Sequence, residues 1–423
     1  MERSDHRRRL LVWEPRTGGH RCEHSRYLLD RLRAMPDPPA VRFVVHPDLF
    51  LDAPDAAARL DDLPAGVEWH PLATDELRAL RGPAPGARML ALLRRKILEC
   101  RPDATLILDL TPVETALCFR RLPGPVSGLL FVQYPEIDVP DAPPLLHLRR
   151  RLKVAFKERK TAAWLRRQDV RSVFLLNGER ACDDLSRRFG ETEPSIASAL
   201  QHSPSRAPRP TPAFVAIPDP IAPPPADPAF RLREAYGIPA DAAVFLFCGA
   251  LSRRKGMDVL LDALRSWPPA EAARAVFLCV GRLEALDETS LKRQADGLRR
   301  ARPDVRVRMD LRFVPDGELQ AMIEQADWVL LPYRRAEYSS GLLGRAAAAG
   351  TPVVGPDEGL IGRLIERYAL GVRARTDAGG VCAGLSGALS RTPFALDERL
   401  RREFVDRSRP DEFARRLIER SLA

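Results

Sequence analysis

The feature that most constrains this chain is an alternation of short apolar runs with longer stretches of helical period, interrupted once by proline. Within its 423 residues, runs such as Val244-Phe245-Leu246-Phe247-Cys248 are apolar at every position. A strand with one wet face would alternate, so a run apolar on both faces belongs to a parallel strand covered by helices on each side. The pattern predicts strands at 10–13, 41–46, 104–110, 126–134, 173–176 and 214–217. It repeats at 243–248, 275–280, 305–308, 328–331, 352–354 and 371–373. Ten of the 39 prolines fall between Pro204 and Pro228. Proline removes backbone donors and stiffens the chain, so neither helix nor central strand fits there. The expectation is two Rossmann-like α/β domains, 1–220 and 221–400, followed by a helical segment, 401–423, packing back across the domain interface. Phe413, Leu417 and Ile418 are spaced for one face of that helix.

Composition narrows the class. Apolar residues make up 45% and charged residues 29%, an ordinary globular balance. No segment has the ~18 uninterrupted apolar residues of a membrane span, and the apolar run near the amino terminus is too short for a secretory leader, so a cytoplasmic location is expected. The seven cysteines are scattered singly without C-x-x-C spacing. That pattern points away from a disulfide framework or a zinc knuckle, and no D-x-D or His/Cys cluster suggests a metal.

The formal charge of +10 invites a nucleic-acid partner, but its distribution argues otherwise. Residues 149–171, which open on Arg149 and close on Arg171, hold ten basic and two acidic side chains. They carry few interleaved aromatics, so nucleic acid is not expected. Leu145, Leu148, Leu152 and Phe156 follow helical spacing within and just before this segment. Two readings stand: a stripe packed on the domain core, or an apolar face among cations that suits an anionic membrane surface.

Two segments carry candidate chemistry. Gly249-Ala250-Leu251-Ser252-Arg253-Arg254-Lys255-Gly256 follows the strand at 243–248 and precedes a helix. Loops at the carboxyl ends of such strands bind ligands, and free amides with three consecutive cations make an anion site. The alternative is a solvated basic turn, but a lysine there stands out in a chain with only six lysines against 61 arginines. The second segment runs from Glu337-Tyr338-Ser339-Ser340-Gly341 to Gly350. Ser339 or Ser340 is a helix N-cap and Gly350 a left-handed stop, with Glu337 just before the helix as an acceptor for the hydroxyls of a polar ligand. In the first half, Gly18-Gly19 follows the first strand, with His20 and Arg21 beside it. His24 and His46 are read as structural.

These segments resemble the donor domain of the retaining GT-B glycosyltransferases of family GT4 (glycosyl transferases group 1). Arg-Glu-Ala-Tyr-Gly-Ile-Pro at 233–239 is similar to the family's segment before the domain's first strand. Residues 249–256 are similar to its G-R-L-x-x-x-K-G loop, and 313–333, with Glu318-Leu319 and Ala326-Asp327, to its F-x-x-V-x-x-x-E-L stretch. Residues 337–354 are similar to its E-x7-E motif and A-x-G-x-P-V-V ending. The likeness is close over 230–375 and loose before that, where Gly18-Gly19-His20 resembles the family's glycine-rich loop.

The resemblance implies a GT-B fold, two Rossmann-like domains facing each other across a cleft. It implies transfer of a sugar, with retention, from a nucleoside-diphosphate sugar to a carbohydrate or lipid-linked acceptor, without metal or other cofactor. Lys255 would contact the diphosphate, helped by Arg253 or Arg254. Glu337 would bond the donor sugar, and Ser339, Ser340, Gly341, Gly18 and Gly19 would lie against the donor. His20 and Arg21 would face the acceptor or cleft. Three positions depart from the family. Ala250 stands where an arginine is usual, Ser340 replaces a glycine, and Arg345 stands where a second glutamate holds the ribose. Gln133-Tyr134-Pro135-Glu136 occupies the place of a first-domain histidine. A GT-B protein that binds nucleotide or a partner without transfer is the alternative.

Overall fold

The computed structural model describes residues 7–18, 20–51, 54–131, 134–137, 144–190, 212–284 and 287–423. They form two compact units. One comprises the chain up to Pro218 together with Pro410–Ala423, and the other Asp219–Arg409. The expected boundary at 401 falls inside the helix Glu398–Arg407, which belongs with the second unit.

The first unit is built on a seven-stranded sheet. Its strands are β1 (Arg9–Glu14), β2 (Ala40–Val45), β3 (Val67–Pro71), β4 (Ala104–Ile107), β5 (Pro125–Leu129), β6 (Asp169–Leu176) and β7 (Ala213–Ile217). All pairings are parallel, in the order β3-β2-β1-β4-β5-β6-β7. The reversal of order lies between β1 and β4. Two expected strands end early: the one at 104–110 stops at Ile107, and the one at 126–134 stops at Leu129, with Tyr134–Glu136 forming a short 3-10 turn. β3 was not expected. It exposes most of its residues, because it is an edge strand with little core to face.

The helix Pro410–Leu422 completes this unit. Phe413, Leu417 and Ile418 are buried, as their spacing predicted, and so is Ala414. The helix lies against the helix His20–Ala34 and strands β4 to β6. Arg171 Nη1 donates to the Ser421 carbonyl at 3.2 Å, and Arg416 Nη1 to the Ala216 carbonyl at 3.2 Å. The first of these guanidinium donors satisfies a carbonyl that the helix end leaves open, and the second ties the helix to β7.

The second unit holds six parallel strands, β8 (Ala243–Cys248), β9 (Ala275–Val280), β10 (Arg306–Asp310), β11 (Trp328–Leu330), β12 (Val353–Pro356) and β13 (Gly371–Ala374). Their order is β10-β9-β8-β11-β12-β13, so the reversal lies between β8 and β11. Every residue of β8 and β9 is buried, which is what runs apolar on both faces require. Two apolar clusters cover the two faces of this sheet. One centres on Trp267, Phe277 and Leu385, the other on Met322, Leu343 and Ile361.

The basic segment forms most of the helix Pro144–Arg167. Trp164 and Thr161 are buried against the first unit. Lys160 Nζ lies 2.5 Å and Lys157 Nζ 3.6 Å from the buried Glu114 carboxylate. Toward the amino end the helix stands off the unit. None of residues 148–160 is buried, and Leu148, Leu152 and Phe156 are 53%, 60% and 66% exposed. The reading in which this stripe packs on the core does not hold for these three. The side chain of Leu145 lies outside the described residues. Among the described residues, no helix is long and apolar enough to cross a membrane.

Candidate functional site

The loop after β8 is shaped by two glycines. Gly256 adopts φ +80°, and a Cβ there would lie 1.8 Å from the Pro332 carbonyl oxygen. Only glycine permits that approach and that backbone. Gly249 adopts φ +94°, and a Cβ on it would meet Lys255 Nζ at 3.0 Å. The Lys255 side chain therefore folds back over the bare backbone at the strand end. The helix Met257–Arg265 starts immediately after.

The three cations of this loop are placed differently. Arg253 donates its backbone N–H to Asp287 at 2.8 Å, and its Nε is 3.5 Å from the buried Asp258 carboxylate. Asp258 also takes Arg334 Nη2 at 2.7 Å. Arg254 Nη2 lies 3.3 Å from Glu284. Lys255, half-buried, has no carboxylate partner among the described residues, and its ammonium lies 5.5 Å from the Tyr333 ring centroid. A cation held against an aromatic face still has donors to offer an anion.

The second segment arrives at the same sheet edge because β11 pairs with β8. Ser340 is the N-cap of the helix Gly341–Ala349, accepting from Leu343 N–H at 3.4 Å, and Gly350 closes the helix at φ +76°. Of the two serines offered by the sequence, Ser340 caps. Ser339 donates instead to Asp219, Oγ to Oδ2 at 2.5 Å. Glu337 and Asp219 are both buried, at 7% and 6% exposure. Asp219 escaped sequence reasoning because it reads as a lone acid in a proline-rich stretch.

Arg345 turns toward the helix Asp316–Gln325. Its Nε donates to Gln320 Oε1 at 3.0 Å, Nη1 to Asp316 Oδ1 at 3.1 Å and Nη2 to the Asp316 carbonyl at 3.0 Å. Burial pushes the Cys248 thiol at the end of β8 up to about 11, against the opposing pull of Lys255 and Arg345. Both cations therefore act on the same strand end. Among the described residues, no three of His, Cys, Asp and Glu are grouped to hold a metal ion.

The remaining expected residues belong to the first unit. Gly18 has φ +77°, and Gly19 lies outside the described residues. His20 Nδ1 is 3.3 Å from Glu23, and Arg21 Nη1 donates to the Gly18 carbonyl at 3.0 Å. His24 is buried, with its ring 4.8 Å from that of Phe413. His46 Nδ1 accepts the Asp48 N–H at 3.1 Å, a local turn bond. Of the positions taken by Gln133-Tyr134-Pro135-Glu136, Gln133 lies outside the described residues, and Tyr134 is buried in the first unit.

Residues 242–385 match the family described as Glycosyl transferases group 1. The chain resembles that family. It has the GT-B fold, two parallel-sheet Rossmann-like domains, seen in solved structures that align along nearly its whole length. WaaG, a glycosyltransferase involved in lipopolysaccharide biosynthesis, aligns with TM-score 0.55 at 17% identity, covering 98% of each chain. Anabaena Alr3699/HepE in complex with UDP aligns with TM-score 0.60 at 16% identity, covering 97% of this chain and 98% of that one. The trehalose-6-phosphate synthase OtsA aligns with TM-score 0.60 at 13% identity, covering 97% of each. In sequence, a D-inositol 3-phosphate glycosyltransferase of Jonesia denitrificans is 34% identical over 135 residues. That match spans 30% of each protein's length.

Proposed function

We propose that this GT-B chain transfers a sugar from a nucleoside-diphosphate sugar to a carbohydrate or lipid-linked acceptor, with retention at the anomeric carbon. The observation that carries this reading is Lys255. It is a half-buried ammonium without a carboxylate partner among the described residues, held over Gly249 at a sheet's switch point within the family-matched stretch. Open α/β sheets bind ligands at that place. Lys255 would neutralise the diphosphate as its bond to the sugar breaks, and the amides at the start of Gly341–Ala349 would receive phosphate or sugar oxygens. Glu337 would accept hydroxyl hydrogen bonds from the donor sugar. The acceptor's hydroxyl oxygen forms the new bond on the face the diphosphate leaves, and its proton passes to the departing phosphate oxygen. No metal or cofactor is needed in this scheme, because fixed cations and helix dipoles meet the charge.

Arg253 and Arg254 are helpers of lower rank, since each already faces a carboxylate. Gly18, Gly19, His20 and Arg21 would contribute from the first unit. A panel of nucleoside diphosphates and their sugars, read by thermal shift and turnover, tests the reading. Lys255→Ala and Glu337→Ala should each cut turnover at least tenfold, and turnover preserved in both would refute the assignment.

One observation favours a second reading, binding without transfer. The side chain at the expected ribose-holding position, Arg345, is bonded to Gln320 and Asp316. Nucleotide binding without turnover across the donor panel would select it.

The exposed Leu148, Leu152 and Phe156, with exposed Arg149, Arg151, Lys153 and Arg159 around them, support a cytoplasmic enzyme docking peripherally on an anionic membrane. Each cation near such a surface contributes ~1 kcal/mol. Co-sedimentation with phosphatidylserine-containing vesicles at low salt should fall several-fold in Leu152→Glu/Phe156→Glu. Absence of wild-type binding would sink the docking idea.

A further inference from the structure

In the first unit the strand order reverses between β1 and β4, and both strand ends there carry a carboxylate. Glu14, the last residue of β1, is 1% exposed. Its Oε1 accepts the Arg16 backbone N–H at 3.2 Å and lies 3.5 Å from Arg21 Nε. Its Oε2 is buried and accepts no hydrogen bond among the described residues. Asp109, just beyond β4, accepts from Arg16 Nη2, from Arg21 Nη2 at 3.2 Å and from the Thr111 N–H at 2.9 Å. Arg16 Nε, Arg21 Nε and Thr111 Oγ1 are likewise buried without a hydrogen-bond partner among the described residues. Native interiors seldom leave so many polar atoms unpaired in one place.

The layering of the group decides what it can receive. The Arg16 and Arg21 side chains are 36% and 26% exposed, above Asp109 at 9% and Glu14 at 1%. A ligand arriving from solvent meets guanidinium edges first, and these edges are fixed from behind by Asp109. The helix His20–Ala34 begins beside them, so its amino end adds positive potential. Two guanidiniums against two ionised carboxylates leave no net charge for an anion. With Glu14 protonated, one positive charge remains.

We propose that Arg16 and Arg21 hold a phosphate monoester on the acceptor, and that Glu14 takes up a proton from solvent as the phosphate binds. This rests on the transfer reading above and names the charged group of its acceptor. Burial already pushes the Glu14 carboxyl up to about 7, against the opposing pull of Arg21 and Arg16 and with Asp109 adding to the rise. An approaching anion raises it further, so protonation near neutral pH costs little. The other titratable groups nearby are accounted for. Burial holds His24 in its neutral form, His20 faces Glu23, and His46 at the end of β2 faces Asp48.

Sulfate is the cleanest probe, because its own charge is constant from pH 6 to 9. Titration calorimetry on the Lys255→Ala full chain removes the cation of the other switch point from the signal. Sulfate affinity should fall about tenfold between pH 7.5 and 8.5, with close to one proton taken up per anion, read from two buffers of different ionisation enthalpy. Glucose 6-phosphate should compete and glucose should not. Glu14→Gln should bind sulfate with no pH slope and no proton uptake, and Arg16→Ala should lose the site. A flat wild-type profile, a slope that survives Glu14→Gln, or binding indifferent to Arg16→Ala overturns the proposal. Should Glu14→Gln not fold, the buffer dependence of the parent chain decides alone. Failure here leaves nucleotide binding and turnover untouched, whereas failure of the transfer reading leaves the sulfate linkage standing.

Discussion

The two sheets reverse their strand order in the same way, and what stands at each reversal differs in one respect. At β8 and β11 the loop cation Lys255 faces no carboxylate among the described residues. At β1 and β4 the arginines are matched by Asp109 and by Glu14, a carboxylate buried deep enough to hold its proton near neutrality. Topology therefore sets where a ligand can dock, while the carboxylates behind the cations set how much charge it meets. One reversal carries a cation with no carboxylate beside it among the described residues. The other offers a charge that depends on pH.

Glu14→Gln tests the buried half of this contrast with the largest expected effect. A carboxyl raised to about 7 from an ordinary 4.5 binds its proton more readily in the folded chain than in the unfolded one. Stability from this group is therefore full below pH 4.5 and is lost as pH rises to about 7. The glutamine variant should gain about 3 kcal/mol over wild type at pH 8 and little at pH 4.5, by denaturant unfolding of the first unit. A gain independent of pH would mean that Glu14 titrates normally.

Lys255→Ala tests the other half. Losing one charge-assisted contact to a diphosphate costs about 2 kcal/mol, so nucleoside-diphosphate affinity should drop roughly thirtyfold by calorimetry. Glu14→Gln should leave that affinity unchanged. An equal loss in both variants would erase the distinction between the two switch points.

Much of this architecture is legible in the residues, and the illegible parts share a cause. The strands β8 and β9 could be read because burial on both faces leaves an all-apolar run. A cap at Ser339 or Ser340 and the Gly350 stop could be read because capping is settled within four residues, and the structure selects Ser340. Glu14 gave no sign, since Asp109, the second carboxylate on Arg16 and Arg21, lies 95 positions away and an acid ending an apolar run looks like a strand entering solvent. Asp258, the second residue of its helix, lies buried between Arg253 and Arg334, the latter 76 positions away. Val67-Glu68-Trp69-His70-Pro71 forms an edge strand that pairs on one side only. The spacing of Leu148, Leu152 and Phe156 is the same for a core stripe and a wet one. What separates the two is position along the helix: Trp164 and Lys160 anchor its carboxyl end to the unit, while the turns that carry these three residues stand off it.

The smallest effect concerns the packing that supports the first switch point. His24 sits in the helix His20–Ala34 with its ring against Phe413 of the closing helix, and burial holds its imidazole well below the usual range. Such a group stays neutral in the folded chain but protonates near pH 6.5 when unfolded. Its cost is therefore absent above that pH and grows as pH falls, the opposite sense to Glu14. At pH 5.5 it amounts to about 1 kcal/mol. His24→Phe should remove that acid loss while changing stability at pH 8 by less, since a ring of similar size keeps the contact with Phe413. With both His24→Phe and Glu14→Gln in place, the first unit's stability should lose most of its slope between pH 5 and 8. A slope that persists would place the titrating groups elsewhere in that unit.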